Sequence, residues 1–360
     1  MENKTNESLS PTKRLRTMSS LLLSWYKDHA RTLPWREDPG PYRVWISEIM
    51  LQQTRIEAVK PYFSRFMEAF PDVPTLALAD EDRLLKLWEG LGYYNRARNL
   101  KKAAQVMTEL HDGQLPPSYE ELLKLPGIGT YTAGAIASIA FGIPVPAVDG
   151  NVLRVISRVL ASLDDVGKPA VKKQMESLLK EIMPRDDAGA FNQGLMEIGE
   201  TICVPNGPPR CPECPLSPIC LARIHNSQAS IPVKAPKKPR RAENRTVLLI
   251  LSGTDIAIEK RPDTGLLASL YQFPNLEGHR NRQEIHDFLE SLGASPERIE
   301  PAGEARHVFS HVEWHMTGYL ARLKGKIPST YLAVGQEELR RKYPIPNAFS
   351  AYIKLLNRQL

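Results

Sequence analysis

The sequence predicts two domains, a mainly α-helical first half followed by a smaller α+β domain. Three observations carry that division. From residue 19 to about 223, apolar residues recur at helical spacing between Pro- and Gly-rich breaks, as in Leu84, Leu85, Leu87, Trp88 and Leu91. Strand-like runs begin only after Arg245, first at residues 246–251 (TVLLIL). Between them, residues 227–243 hold prolines and basic residues with almost no large apolar side chain, the composition of a linker.

Taken in order, residues 1–18 open with a polar stretch and are expected to be disordered. Residues 19–226 form the helical domain, broken at Asp38-Pro39-Gly40-Pro41, Phe70-Pro71, Leu115-Pro116-Pro117 and Leu125-Pro126-Gly127. Residues 227–243 are the linker, and 244–360 the second domain. Its strands are expected at 246–251, 256–259 and 314–320, with one amphipathic helix near 282–292. A chain of 360 residues is long enough for two cores. Hydrophobic residues at 42% and charged residues at 24% are ordinary for soluble globular proteins. No apolar run approaches a membrane span, and Leu21-Leu22-Leu23 is too short for a signal-peptide core, so a reducing cytoplasm is expected. A net charge of +6 and a pI near 9.0 permit nucleic-acid binding without singling it out.

All four cysteines fall in one stretch, Cys203, Cys211, Cys214 and Cys220, spaced C-x7-C-x2-C-x5-C. Disulfides would be scattered to staple distant loops, so a four-thiolate metal site is the favoured reading. Zinc is usually held by two C-x2-C knuckles, and only one is present here. The proline-rich flanks suit a compact four-iron cluster. The cysteines by themselves leave both open.

Three segments ahead of the cysteines bear chemistry. In Leu125-Pro126-Gly127-Ile128-Gly129-Thr130, a helix ends, the chain turns through Gly127 and Gly129, and a helix of small residues begins. Glycines permit a positive φ and close backbone approach, and the free N–H groups of the new helix can meet a phosphate, a helix-hairpin-helix signature. An ordinary helix-turn-helix packing element would share the pattern. Downstream, Val148-Asp149-Gly150-Asn151 precedes a helix. Asp149 can serve as its N-cap, and a carboxylate there is expected to stay ionised. Such an anion beside a sugar can stabilise positive charge developing on C1′, or attack it. Glu48 lies in a run, 44–54 (VWISEIMLQQT), that is apolar nearly all round. Buried there, it is either paired with an arginine such as Arg36 or Arg55, or raised in pKa and poised as a general acid.

The hairpin, the Asp149 segment, the run 44–54, the run 88–94 (WEGLGYY) and the trailing cysteines together resemble the endonuclease III superfamily of DNA glycosylases, and within it the adenine-excising branch. The resemblance spans about residues 21–351. It implies a helix-hairpin-helix glycosylase fold with an iron–sulfur cluster loop, one 4Fe-4S cluster on the four cysteines, and a Nudix-like C-terminal domain. The family's first cysteine spacing is x6, so the loop 204–210 is one residue longer here. Glu48 would protonate N7 of adenine, and Asp149 would stabilise the oxocarbenium-like centre. Tyr131 and Asn151 would orient and shield that site, with Arg31, Leu51 and Gln193 lining the adenine pocket. Lyase relatives carry lysine where this chain has Tyr131, which implies base removal without strand cleavage.

A base inside a duplex must be flipped out to reach buried carboxylates. Gln53, Thr54, Leu91 and Tyr93 match the family's gap-filling residues, with Leu91 expected on an exposed loop. In the second domain, Gly265-Leu266-Leu267-Ala268 and Gln272-Phe273-Pro274 match Nudix-like features. The box 286–293 has His286 and Ser291 where a Nudix hydrolase needs arginine and glutamate, which argues against nucleotide hydrolysis. Phe309, Ser310 and His311 match a loop that contacts 8-oxoguanine. The implied partner is double-stranded DNA with adenine opposite 8-oxoguanine or guanine, bound by a monomer in a nucleoid-associated, cytoplasmic setting.

Overall fold

The computed structural model describes residues 9–236 and 239–359. The chain divides into two compact units. One holds the chain up to Leu78 together with Asn99–Pro236, and the other holds Ala79–Arg98 with the C-terminal segment that follows Pro236. The segment Ala79–Arg98 is helical as predicted, yet it packs with the second domain.

In the first unit, a helix runs Pro11–His29, capped by Ser10, whose hydroxyl accepts from Lys13 N. Disorder over 1–18 therefore fails from Ser10 onward, and residues 1–8 lie outside those described. The basic run Lys13, Arg14, Arg16 obscured an apolar stripe, Leu15, Met18, Leu22 and Tyr26, that turns into the core. Arg14 itself is buried and donates to Ile219 O. Helix Thr130–Phe141 is the centre of the unit, with Thr132 to Ser138 all buried. Its small side chains let helices Pro41–Leu51 and Ala188–Thr201 pack closely on it. Helix Gly150–Leu160 completes the frame, its apolar face meeting Leu15, Leu22, Met175 and Leu195.

The expected linker is shorter than read. Ile231 is buried, its carbonyl accepts from Arg158 Nε at 2.8 Å, and Val233 O accepts from Val166 N at 3.1 Å. The buried Ile231 side chain and these two carbonyl acceptors seat this part of the segment on the helical unit. At the other end, the first strand already begins at Arg241, and residues 237–238 lie outside those described.

The second unit carries a mixed sheet of strands β1 (Arg241–Ser252), β2 (Asp255–Lys260), β3 (Tyr271–Gln272), β4 (Asn275–Glu277), β5 (Pro296–Val308), β6 (Val312–Leu323) and β7 (Leu332–Gly335). The order is β3-β2-β1-β6-β5, with β4 on β1 and β7 on β2. β1 and β6 run parallel, from Arg241 opposite Val312 to Leu251 opposite Arg322. The unbroken apolar run in β1 follows from burial on both faces: Val247, Leu249 and Leu251 enter one core with Trp314, Phe349 and Tyr352, and Leu248 and Ile250 enter the other with Ile285 and Leu289. Helix Arg282–Ser291 forms as expected, held by a capping box between Asn281 and Glu284. Helices Gln336–Lys342 and Ser350–Gln359 were not anticipated, because their apolar residues alternate with charges over few turns. Among the described residues no helix is long and apolar enough to cross a membrane.

Candidate active site

A cleft of about 1210 Å³ opens in the helical unit. Arg31, Glu48, Leu51, Tyr131, Asp149, Asn151 and Gln193 all line it, as do Gln53, Thr54 and Gly129. Residues spread over more than 160 positions of chain thus meet in one place because the buried helix Thr130–Phe141 holds helices Pro41–Leu51 and Ala188–Thr201 on either side.

Glu48 is 6% exposed near the end of helix Pro41–Leu51. The hydroxyl of Tyr131, one residue into the central helix, donates to its Oε2 at 2.6 Å. Burial pushes the Glu48 carboxyl up to about 7, against the opposing pull of the Tyr131 hydrogen bond, and the nearby Asp149 charge adds to the rise. Arg36, a possible partner from the sequence, pairs instead with Glu197 at 2.8 Å. Tyr131 is held far above the ordinary phenol range by burial and by the two carboxylates, so it remains a donor.

Asp149 caps helix Gly150–Leu160 as read, its Oδ1 accepting from Val152 N at 2.8 Å and its Oδ2 from Asn151 Nδ2 at 2.9 Å. Burial outweighs these donors and raises its carboxyl above the ordinary aspartate value, while Val152 and Asn151 pull it down.

Sequence reasoning missed the residues behind this pair. Arg154 is buried and donates to Asn151 Oδ1 at 2.8 Å, Gly199 O at 2.8 Å and Cys203 O at 2.7 Å, tying the Asp149 partner to the cysteine loop. Gly199 is required there, since a Cβ would lie 2.6 Å from Asn151 Cβ. Glu197, 1% exposed, is clamped between Arg31 and Arg36, and Arg31 also pairs with Glu200 at 2.7 Å. The signal was available as spacing. Arg154 and Arg158 fall three and seven residues beyond Asn151, on a helix buried throughout residues 152–159.

The hairpin adopts the expected form. Gly127 takes φ +77°, a left-handed conformation, and Gly129 caps the helix that begins at Thr130.

The four cysteines are free thiols on the wrap between Thr201 and helix Leu221–Ile224. Arg158 Nη1 donates to Cys203 Sγ at 3.2 Å, and Gln228 Nε2 to Cys211 Sγ at 3.7 Å. Burial pushes the Cys214 thiol up to about 12, and the other three cysteines all add to the rise. Among the described residues, the one set of three or more His, Cys, Asp or Glu ligand atoms within 4.8 Å of each other is His286, Asp287 and Glu290. The four sulfurs are therefore spread wider than the roughly 3.8 Å separations implied by the Zn–S bonds of a single tetrahedral zinc.

In the second unit, Leu91 is 7% exposed, which corrects its expected place on the loop surface. Its N–H is tied to Trp88 O at 3.1 Å and the turn folds its side chain inward. Tyr93, with φ +47° and 49% exposed, is the residue that projects. Phe309, Ser310 and His311 form the tip of the β5–β6 hairpin, closed by Phe309 N to Val312 O at 2.8 Å. The Phe309 ring packs edge-on to Trp314 at 5.0 Å, leaving Ser310 and His311 exposed, with Ser310 Oγ 3.2 Å from His311 Nδ1.

Comparison with known proteins agrees with both halves. Residues 46–184 match the HhH-GPD superfamily of base excision DNA repair proteins, and 246–355 match the NUDIX domain. The chain is 35% identical to the adenine DNA glycosylase of Mus musculus, over 82% of this chain and 68% of that protein. It is likewise 35% identical to that of Buchnera aphidicola subsp. Acyrthosiphon pisum (strain APS), over 85% of this chain and 86% of that one. A thermostable thymine-DNA glycosylase superposes with a TM-score of 0.53 at 28% identity, covering 59% of this chain and 98% of that one. Endonuclease III in a non-covalent DNA complex gives 0.52 at 26%, covering 61% and 98%. The chain belongs to the adenine DNA glycosylase family.

Proposed function

We propose that this glycosylase releases adenine mispaired with 8-oxoguanine or guanine by hydrolysis of the N-glycosidic bond, without cutting the strand. The observation that carries the reading is the Glu48–Tyr131 pair, a buried carboxyl titrating near 7 across one cleft from Asp149. Protonated Glu48 delivers its proton to N7 of adenine, which makes the base a neutral leaving group. Asp149, oriented by Asn151 and the helix N–H groups, stabilises the positive charge that builds on C1′, and water completes the hydrolysis. Arg31, Leu51 and Gln193 contact the base. Tyr131 has no amine to form a Schiff base, which supports the absence of lyase chemistry.

The substrate is duplex DNA, bound by a monomer in a nucleoid-associated, cytoplasmic setting. Backbone N–H groups at Gly127 and Gly129 take a phosphate, and gap filling after the nucleotide flips falls to Gln53 and Thr54 on the one unit and to Tyr93 on the other. Leu91 is too buried to serve as a wedge and supports the turn from beneath. Ser310, exposed on its hairpin tip, accepts from the N7–H that distinguishes 8-oxoguanine from guanine. Cys203, Cys211, Cys214 and Cys220 hold one 4Fe-4S cluster, which supplies structural cross-linking of the loop and no acid, base or nucleophile.

The test is single-turnover release from duplexes with adenine opposite 8-oxoguanine, guanine, cytosine or thymine. Faster release opposite 8-oxoguanine and guanine, with intact strands before alkali, supports the reading. Equal rates opposite all four bases refute lesion reading, and borohydride-trapped DNA adducts at stoichiometric yield refute the absence of lyase chemistry.

A further inference from the structure

The segment Ala79–Arg98, which ends in the turn bearing Tyr93, shares a compact unit with the C-terminal sheet. Its attachment is polar and specific. The carboxylate of Glu89, immediately before Gly90, uses both oxygens: Oε1 accepts from Ile345 N at 2.7 Å, and Oε2 pairs with Lys86 Nζ at 2.7 Å. Lys86 in turn donates to Tyr343 O at 3.0 Å, and Asn347 Nδ2 to Gly90 O at 3.3 Å. One turn earlier, Asp82 pairs with Lys260 at 2.7 Å and accepts from the Tyr271 hydroxyl at 3.0 Å. Lys86 and Glu89 are 19% and 25% exposed, so their interaction is screened far less than a surface pair. The turn itself is closed by Arg96, which donates to Leu91 O at 3.0 Å and Gly92 O at 3.1 Å while lying 5.7 Å from the Tyr93 ring centroid.

We propose that Glu89 is a positioning residue for base displacement. It fixes the turn that presents Tyr93 to the chain segment Tyr343–Asn347, within the same unit that carries the Phe309–His311 hairpin tip. Reading of the opposing base and displacement of adenine then act from one scaffold. The inference rests on the function proposed above and adds a residue that touches neither DNA nor the reacting atoms.

The test uses the full-length protein with Glu89→Ala, which loses both interactions, and Glu89→Gln, which keeps an acceptor for Ile345 N. Two readouts are compared with wild type. One is fluorescence of 2-aminopurine placed at the target adenine, which reports unstacking. The other is single-turnover release from a duplex with adenine opposite 8-oxoguanine and from a duplex with adenine opposite an abasic site (the gapped substrate), where no base pair has to be broken. For Glu89→Ala, loss of a charge-assisted hydrogen bond predicts about a tenfold fall in release from the paired substrate and a matching fall in the fluorescence rate. Release from the gapped substrate should stay within about twofold of wild type, because the chemistry proposed for Glu48 is untouched. Glu89→Gln should fall between the two. Equal losses on both substrates, or no loss on either, overturn the inference. If wild type itself releases no adenine, the proposed function fails instead.

Discussion

Replacing Glu48 with glutamine should inactivate the enzyme and remove a loss of stability that wild type suffers as pH rises. Buried in the native cleft, Glu48 titrates near 7, against 4.5 for the free side chain. Its native value is raised, so the native state holds the proton more tightly than the unfolded chain. The stability from that proton is fully present below 4.5 and is lost as pH rises through about 7. At about 1.4 kcal/mol for each pH unit, wild type should lose about 2.5 kcal/mol between pH 5 and pH 8 through this group alone. Glutamine carries no charge at either pH and still offers an oxygen to the Tyr131 hydroxyl. Urea denaturation of both proteins at the two pH values should therefore show the variant gaining about 2.5 kcal/mol on wild type at pH 8 relative to pH 5. Its adenine release should fall by roughly 10²–10⁴-fold, the usual worth of a general acid. A stability difference that is the same at pH 5 and pH 8 would refute the claim that burial controls this carboxyl.

The other predictions concern its neighbours. Asp149→Asn keeps an N-cap side chain, so thermal stability should hold within about 1 kcal/mol while single-turnover release falls by roughly 10²–10³-fold. A parallel loss of melting temperature and activity would mark Asp149 as structural only. Tyr131→Phe removes a hydrogen bond that favours the Glu48 carboxylate, so the alkaline break in the pH–rate profile should move upward. Arg154→Met leaves the acceptors at Asn151, Gly199 and Cys203 without their donor, at a cost of about 3 kcal/mol in stability. Iron analysis of the purified variant should show reduced metal per chain, and unchanged iron with unchanged activity would separate the cysteine loop from Asn151.

Legibility followed the reach of each interaction. The Asp149 cap and the helix-hairpin-helix turn are local, set by residues within a few positions, and both stand where the pattern places them. Glu48 was legible because a carboxylate in a run apolar all round must be either paired or protonated. Which of the two holds depends on Arg36 finding Glu197, a partner 161 residues away that no local pattern exposes. Leu91 misled because glycines on both sides describe a turn but not the direction its side chain takes. The helix beginning at Pro11 was hidden by its basic residues, one of which, Arg14, is buried through a bond to Ile219 O. The assignment of Ala79–Arg98 to the second unit rests on pairs such as Asp82 with Lys260, which sequence spacing does not encode.

The central claim is that buried, protonated Glu48 is the acid that drives release of adenine. The most direct measurement is the pH dependence of single-turnover adenine release from a duplex containing adenine opposite 8-oxoguanine, with enzyme saturating. The rate should be level below neutrality and fall about tenfold per pH unit above a break near 7. Glu48→Gln should show a low rate without that break. A wild-type profile that stays flat from pH 6 to about 9 would contradict the account.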